Sequence, residues 1–136
     1  MLSSITIPHN VVKIGADAFA ACSSLTSINI PSKVNRIHNG TFNSCSSLTS
    51  ISIPDEVIAI GDNAFFGCVK LSKISLPANL NSIGDYAFDS CTNLTSIDIP
   101  DSVVAIGSYA FRGCERLANV TIGDGVISID GRAFYC

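Results

Sequence analysis

Residues 94–114 read LTSIDIPDSVVAIGSYAFRGC, and five other segments of the chain rewrite this line at a constant spacing of 23 residues. One leucine column runs Leu2, Leu25, Leu48, Leu71, Leu94 and Leu117, without insertion or deletion between copies. A second runs Ile5, Ile28, Ile51, Ile74, Ile97 and Val120, and a third Ile7, Ile30, Ile53, Leu76, Ile99 and Ile122. Proline follows the third column in the first five copies, and Gly123 takes its place in the sixth. Phenylalanine recurs at 19, 42, 65, 88, 111 and 134, so the repeating unit is LxxIxIPxxVxxIGxxAFxxCxx. A strict period of this length marks a stack of identical units, none of which can bury its apolar side alone. The expected fold is a solenoid.

Within one unit, LxxIxI alternates apolar and polar residues as a half-buried strand does, and proline ends it because it cannot donate to a ladder. The VxxI piece reads as a second extended segment. The AF block opens with Asp62, Asp85 or Ser108 in three copies, which suggests an N-cap for a short helical turn. A parallel β-helix is the competing architecture, and the conformation of residues 64–68 and their equivalents decides between the two.

The 23-residue length, the Ile-Pro pair, the IGxxAF block and the cysteine before the next leucine together resemble the BspA-like (Treponema pallidum type) leucine-rich repeat proteins over the whole chain. The resemblance implies an α/β repeat solenoid, with a parallel sheet on one face and short helical turns on the other. Local departures are His38 in the Gly15 column, Thr41 in the Ala18 column, and Gly123 and Asp130 in the last copy. They point to altered turns in repeats two and six.

A chain of 136 residues is expected to form a single solenoid domain, 1–136, with repeats starting at Leu2, Leu25, Leu48, Leu71, Leu94 and Leu117. Solenoids usually end in polar capping units, yet a core column begins at Leu2 and the chain stops at Cys136 in mid-unit, so the sequence reads as a fragment of a longer array. Met1 is followed at once by the first repeat, so no signal-peptide pattern is expected within these residues. The composition is 47% hydrophobic, but its apolar runs span only a few residues, far short of the roughly 18 that a membrane helix needs. Eight basic and eleven acidic residues are scattered singly. They form no basic stripe, which argues against nucleic acid as a partner.

The polar strand columns carry small hydrogen-bonding side chains. Ser27 and Asn29, Ser50 and Ser52, Lys73 and Ser75, Ser96 and Asp98, and Asn119 and Thr121 fill them in successive copies. Six stacked strands about 4.8 Å apart would make a sheet about 25 to 30 Å across. The candidate binding residues on this exposed face are Thr26, Asn29, Thr49, Ser52, Lys73, Ser75, Asp98 and Thr121.

Cysteines 22, 45, 68, 91 and 114 share one column, and Cys136 falls one place short of it. Zinc requires four convergent ligands, which a line of single thiols does not supply, so no metal is expected. The column reads as buried, reduced thiols acting as small hydrophobes. His9 and His38 lie near turns and are expected to be exposed, away from the cysteines, so no Cys-His nucleophile is expected. No GxSxG, HExxH, P-loop or dinucleotide fingerprint occurs. Asp55, Glu56, Asp98 and Asp101 read as solvated residues, because their columns are not acidic in every copy as calcium solenoids require. Three Asn-x-Ser/Thr triplets start at Asn39, Asn93 and Asn119. They are ordinary for so Ser- and Thr-rich a chain and signify glycosylation only in a secreting eukaryote.

Function divides three ways. The resemblance implies a non-enzymatic protein-binding or adhesion module of a cell-surface or secreted protein, with protein ligands on a host surface or in extracellular matrix and no cofactor. A structural spacer or self-assembling segment is the alternative, because unpaired strand edges at 2–7 and 117–122 could stack head to tail. An enzyme is the least supported reading, since the strand face offers only Lys73 and Asp98 as titratable groups.

Overall fold

The computed structural model describes all 136 residues. Its elements are short strands: β1 (Ser50–Ser52), β2 (Ala59–Ile60), β3 (Lys73–Ser75), β4 (Ser82–Ile83), β5 (Ser96–Ile99), β6 (Ala105–Ile106), β7 (Asn119–Ile122) and β8 (Ser128–Ile129). All pairings are parallel, with partners 23 residues apart, such as Ile51 with Ile74 and Ile97 with Val120. The repeat spacing is therefore the sheet register.

Each repeat from the third onward contributes two strands. The LxxIxI strands alternate as expected, with Ile51 buried between exposed Ser50 and Ser52 in β1. The VxxI strands form one continuous sheet in the order β2-β4-β6-β8. The LxxIxI sheet, expected to run across all six copies, is shorter and interrupted. It consists of the pairs β1-β3 and β5-β7 with no ladder joining β3 to β5, and repeat two reaches it only through an isolated bridge from Asn29 to Ser52. Repeat one contributes no strand, so residues 2–7 are not the strand edge the sequence suggested.

The helical turns are absent, and the hydrogen bonds explain why. Across 63–68 the donors alternate in direction. The amides of Ala64, Phe66 and Cys68 bond back to carbonyls three residues earlier, while those of Asn63, Phe65 and Gly67 donate to Asp85, Ala87 and Asp89 of the next rung. An α-helix would need all of these donors within its own segment. The backbone changes hand twice per repeat to achieve the alternation, with positive φ in the columns of Asn63 (φ 55) and Gly67 (φ 67). The AF block is thus a run of linked turns, neither helical nor extended. Asp62 and Asp85 cap no helix. The Oδ1 of Asp62 accepts the amide of Asp85 at 2.9 Å, and that of Asp85 accepts the amide of Ser108 at 2.7 Å, tying one rung to the next.

Gly61 and Gly107 serve stacking and not a special turn angle. A Cβ at Gly107 would sit 2.5 Å from the carbonyl carbon of Gly84, and one at Gly61 would sit 2.4 Å from Oδ1 of Asn39. Only hydrogen fits between rungs at that column.

The interior is one cluster of 32 buried residues drawn from the repeat columns. The phenyl rings stack nearly parallel from Phe19 to Phe134 with centroids 5.1 to 5.7 Å apart. Phe42, Phe65, Phe88 and Phe111 are fully buried. Phe19, the member of this column in the first rung, is only partly covered. Thr41, the departure in repeat two, is also fully buried, and its hydroxyl donates to the carbonyl of His38 at 2.8 Å. His38 itself is half-buried, against the expectation of exposure, whereas His9 is exposed.

Candidate functional site

The strand face is where the sequence can vary without disturbing the columns, since side chains there alternate away from the core. All eight candidate residues, Thr26, Asn29, Thr49, Ser52, Lys73, Ser75, Asp98 and Thr121, are exposed. The structure separates seven of them into three groups and leaves Thr121 apart.

Lys73, Ser75 and Asp98 come together with Ser96 in a cleft of about 290 Å³, floored by Ile74 and Ile97. It lies where the ladder between β3 and β5 is missing. Lys73 and Asp98 occupy neighbouring strands two register positions apart, placing an ammonium and a carboxylate on one polar surface. Neither is held in an ion pair, the one salt bridge of the chain being Arg112 with Asp89. Both charges are free to meet a ligand. Ser96 was readable as a polar strand column but not as part of a site, because nothing in the sequence signals where a ladder opens.

Asn29 and Ser52 lie in a second groove of about 550 Å³, with the proline turns of the first three repeats. His9, Asp55 and Glu56 line it too, giving that end an acidic rim. Thr26 and Thr49 are partly committed to the scaffold. Their hydroxyls donate to the carbonyls of Ser3 at 3.3 Å and Thr26 at 3.4 Å, a link from rung to rung. Thr121 stands beside Asp98 across the β5-β7 ladder.

The cysteine column is built into the scaffold. Cys45, Cys68, Cys91 and Cys114 are buried, and each Sγ donates at 3.2 Å to a phenylalanine carbonyl of the preceding rung. Burial, reinforced at Cys45 by neighbouring Cys22, pushes the Cys45 thiol up to about 11. Burial likewise pushes Cys114 up to about 12, and raises Cys68 and Cys91 further. Such thiols are protonated at neutral pH and poor nucleophiles.

A second feature escaped the sequence reading. On the turn side of repeats four to six, Tyr86 and Tyr109 stack with centroids 5.0 Å apart. The Arg112 guanidinium lies 5.4 and 5.2 Å from those two rings. Its ion pair is with Asp89, which is fully buried and also accepts the Ser90 hydroxyl at 2.9 Å. The hydrogen bond that the guanidinium donates to Asp89 is the main cause that raises the Arg112 pKa. The only sequence signal was the sequence YAFDS followed 23 residues later by YAFRG, which sets Asp above Arg in one column.

Comparison with known proteins agrees with this architecture. Six copies of the family model described as BspA type leucine-rich repeat region match residues 1–103 and 35–136. A leucine-rich repeat protein from Bacteroides ovatus superposes with a TM-score of 0.87 at 41% identity over 90% of this chain and 34% of its own. The Treponema pallidum leucine-rich repeat protein gives 0.81 at 28% identity over 93% of this chain and 72% of its own. A leucine-rich cell surface protein from Faecalibacterium prausnitzii gives 0.69 at 26% identity over 96% and 48%. The chain thus spans about a third of the Bacteroides protein. No curated protein matches it by sequence. On the strength of six matched copies covering its full length, the chain belongs to the BspA-type leucine-rich repeat family.

Proposed function

We propose that this chain is a non-enzymatic protein-binding module and that its LxxIxI face is the recognition surface. The observation that carries the reading is the cleft between β3 and β5, where Lys73, Ser75, Ser96 and Asp98 converge over an apolar floor. It combines convergent polar groups, two unpaired charges and a local gap in the ladder on the one face whose side chains the core does not dictate. The buried thiols donate to backbone carbonyls and are protonated at neutral pH, which makes them poor nucleophiles.

The finer reading is adhesion, with a ligand on a host surface or in extracellular matrix and the module carried on a cell surface or secreted. The relative from Faecalibacterium prausnitzii, described as a cell surface protein, supports this compartment. The spacer reading makes the opposite prediction for the same residues. The test is capture from surface and matrix protein fractions by the wild-type chain and by a Lys73→Ala/Ser75→Ala/Asp98→Ala variant, with identical circular dichroism required of both. A ligand retained by wild type and lost by the variant supports recognition through the cleft. Equal capture by both, or none by either, favours the spacer.

A further inference from the structure

Charge on the LxxIxI face is confined to one place. The two outward columns of that face, which start at Ser4 and Thr6, hold twelve residues, all of them exposed. Ten of the twelve are Ser, Thr or Asn. The other two are Lys73 and Asp98, opposite in sign and in adjacent repeats, and both line the cleft between β3 and β5.

Their placement within the cleft is specific. The 23-residue spacing sets Lys73 level with Ser96 and Ser75 level with Asp98. The two charges therefore lie on one diagonal of the site and the two hydroxyls on the other. Diagonal neighbours on adjacent strands stand about 7 to 8 Å apart. Lys73 and Asp98 do not close that distance into an ion pair. A ligand that answers both must carry an acid and a base separated by a similar span. An extended peptide supplies it, because its side chains at i and i+2 share one face about 6.6 to 6.8 Å apart, while i+1 turns away. A helix spaces the residues of one face three or four positions apart, and its diameter of about 10 Å is too broad for a slot between adjacent rungs. The apolar lining of Ile74, Leu76 and Ile97 suits the methylene stems of a ligand's charged side chains.

We infer that the cleft between β3 and β5 takes an extended peptide segment with one acidic and one basic side chain two residues apart, the acid on Lys73 and the base on Asp98. Ser75 and Ser96 bond the peptide groups between them. The inference rests on the reading of the LxxIxI face as the recognition surface and adds the class of ligand. The orders acid-x-base and base-x-acid correspond to the two directions in which a peptide can run along the diagonal.

Fluorescence polarisation of labelled Ser/Thr peptides with the 136-residue chain in low-salt buffer tests this. The peptides carry Asp-Thr-Lys, Lys-Thr-Asp, Asp-Thr-Asp, Lys-Thr-Lys or an adjacent Asp-Lys pair at their centre. Wild type should bind one of the first two about fivefold or more tightly than the like-charged peptides and the adjacent pair. Lys73→Glu, which leaves two carboxylates in the cleft, should move the preference to Lys-Thr-Lys, and Asp98→Lys should move it to Asp-Thr-Asp, with circular dichroism unchanged in both. A wild type that does not rank the peptides in this way overturns the inference, and so do variants that keep the wild-type ranking. Capture by the Lys73→Ala/Ser75→Ala/Asp98→Ala variant then separates two failures. Capture lost in that variant keeps the recognition surface and assigns it another class of ligand, whereas capture equal to wild type removes the surface as well.

Discussion

Replacing Phe65 by alanine probes the stack at its centre. Its side chain is fully buried, with phenyl neighbours at 5.4 Å (Phe42) and 5.2 Å (Phe88). Complete burial of the ring contributes about 2 to 3 kcal/mol, and each stacked neighbour adds about 0.5 to 1 kcal/mol. The sum, about 3 to 5 kcal/mol, falls where buried Phe→Ala changes are found. Phe134 occupies the same column at the open end, half-buried and with one neighbour at 5.1 Å. Half the burial and a single stacked pair give about 1.5 to 2.5 kcal/mol, with no closed cavity left behind. Urea unfolding followed by circular dichroism reads the difference. With a slope near 2 kcal/mol per molar, the midpoint should fall by about 2 M for Phe65→Ala and by about 1 M for Phe134→Ala. Equal shifts at the two positions would refute the nearest-neighbour stack, because they would show that stability is not gathered interface by interface.

The raised thiols make stability fall at alkaline pH. Cysteines that ionise near 9 when unfolded stay protonated to about 11 at Cys45 and about 12 at Cys114 when folded, so the folded state holds more protons above pH 9. The urea midpoint should be level below pH 8 and drop steadily between 9 and 12, and a midpoint that rises over that window would contradict the assignment. Native thiol labelling at pH 7.5 should modify exposed Cys136 rapidly and Cys68 and Cys91 only on unfolding, as mass spectrometry of labelled peptides would show. Arg112→Ala should lower the urea midpoint by leaving the fully buried Asp89 carboxylate uncompensated, and Asp89→Ala introduced with it should recover part of the loss. Ala21→Gly should stabilise by about 0.5 to 1 kcal/mol in the same assay, since Ala21 holds φ at 59, a region costing an L-residue about 1 to 2 kcal/mol that glycine escapes at some entropic cost.

The columns of the interior were legible because burial imposes a period, and an unbroken 23-residue spacing leaves one register. The same spacing sets Ile51 against Ile74 and Ile97 against Val120. The AF block was misread for a physical reason. Helix capping residues such as Asp62 and Asp85 also serve as carboxylate acceptors for any nearby amide, and here the nearest free amide belongs to the next rung. Sequence shows the acceptor but not the direction of the donor. Positive φ was hidden too, since Tyr86, Tyr109 and Arg132 hold it where glycine would have announced it. The strand-face residues were found by alternation alone. Their grouping was not, because the gap between β3 and β5 changes no residue type that local propensity registers.

One arrangement links these observations. The donors of the turn blocks in repeats one to five are divided between closing the turn and bonding the next rung. The backbone therefore supplies cohesion along the solenoid axis, and the strands need only short ladders of two to four residues. Side chains on the LxxIxI face are thereby relieved of any part in holding the stack, apart from hydroxyls such as those of Thr26 and Thr49. Lys73 and Asp98 can stand unpaired over a break in the sheet without loosening the rungs beneath, because Tyr86, Phe88 and Ser90 of repeat four remain bonded to Ser108, Ala110 and Arg112 of repeat five on the opposite side. Cohesion on one side is what makes an open, charged cleft tolerable on the other.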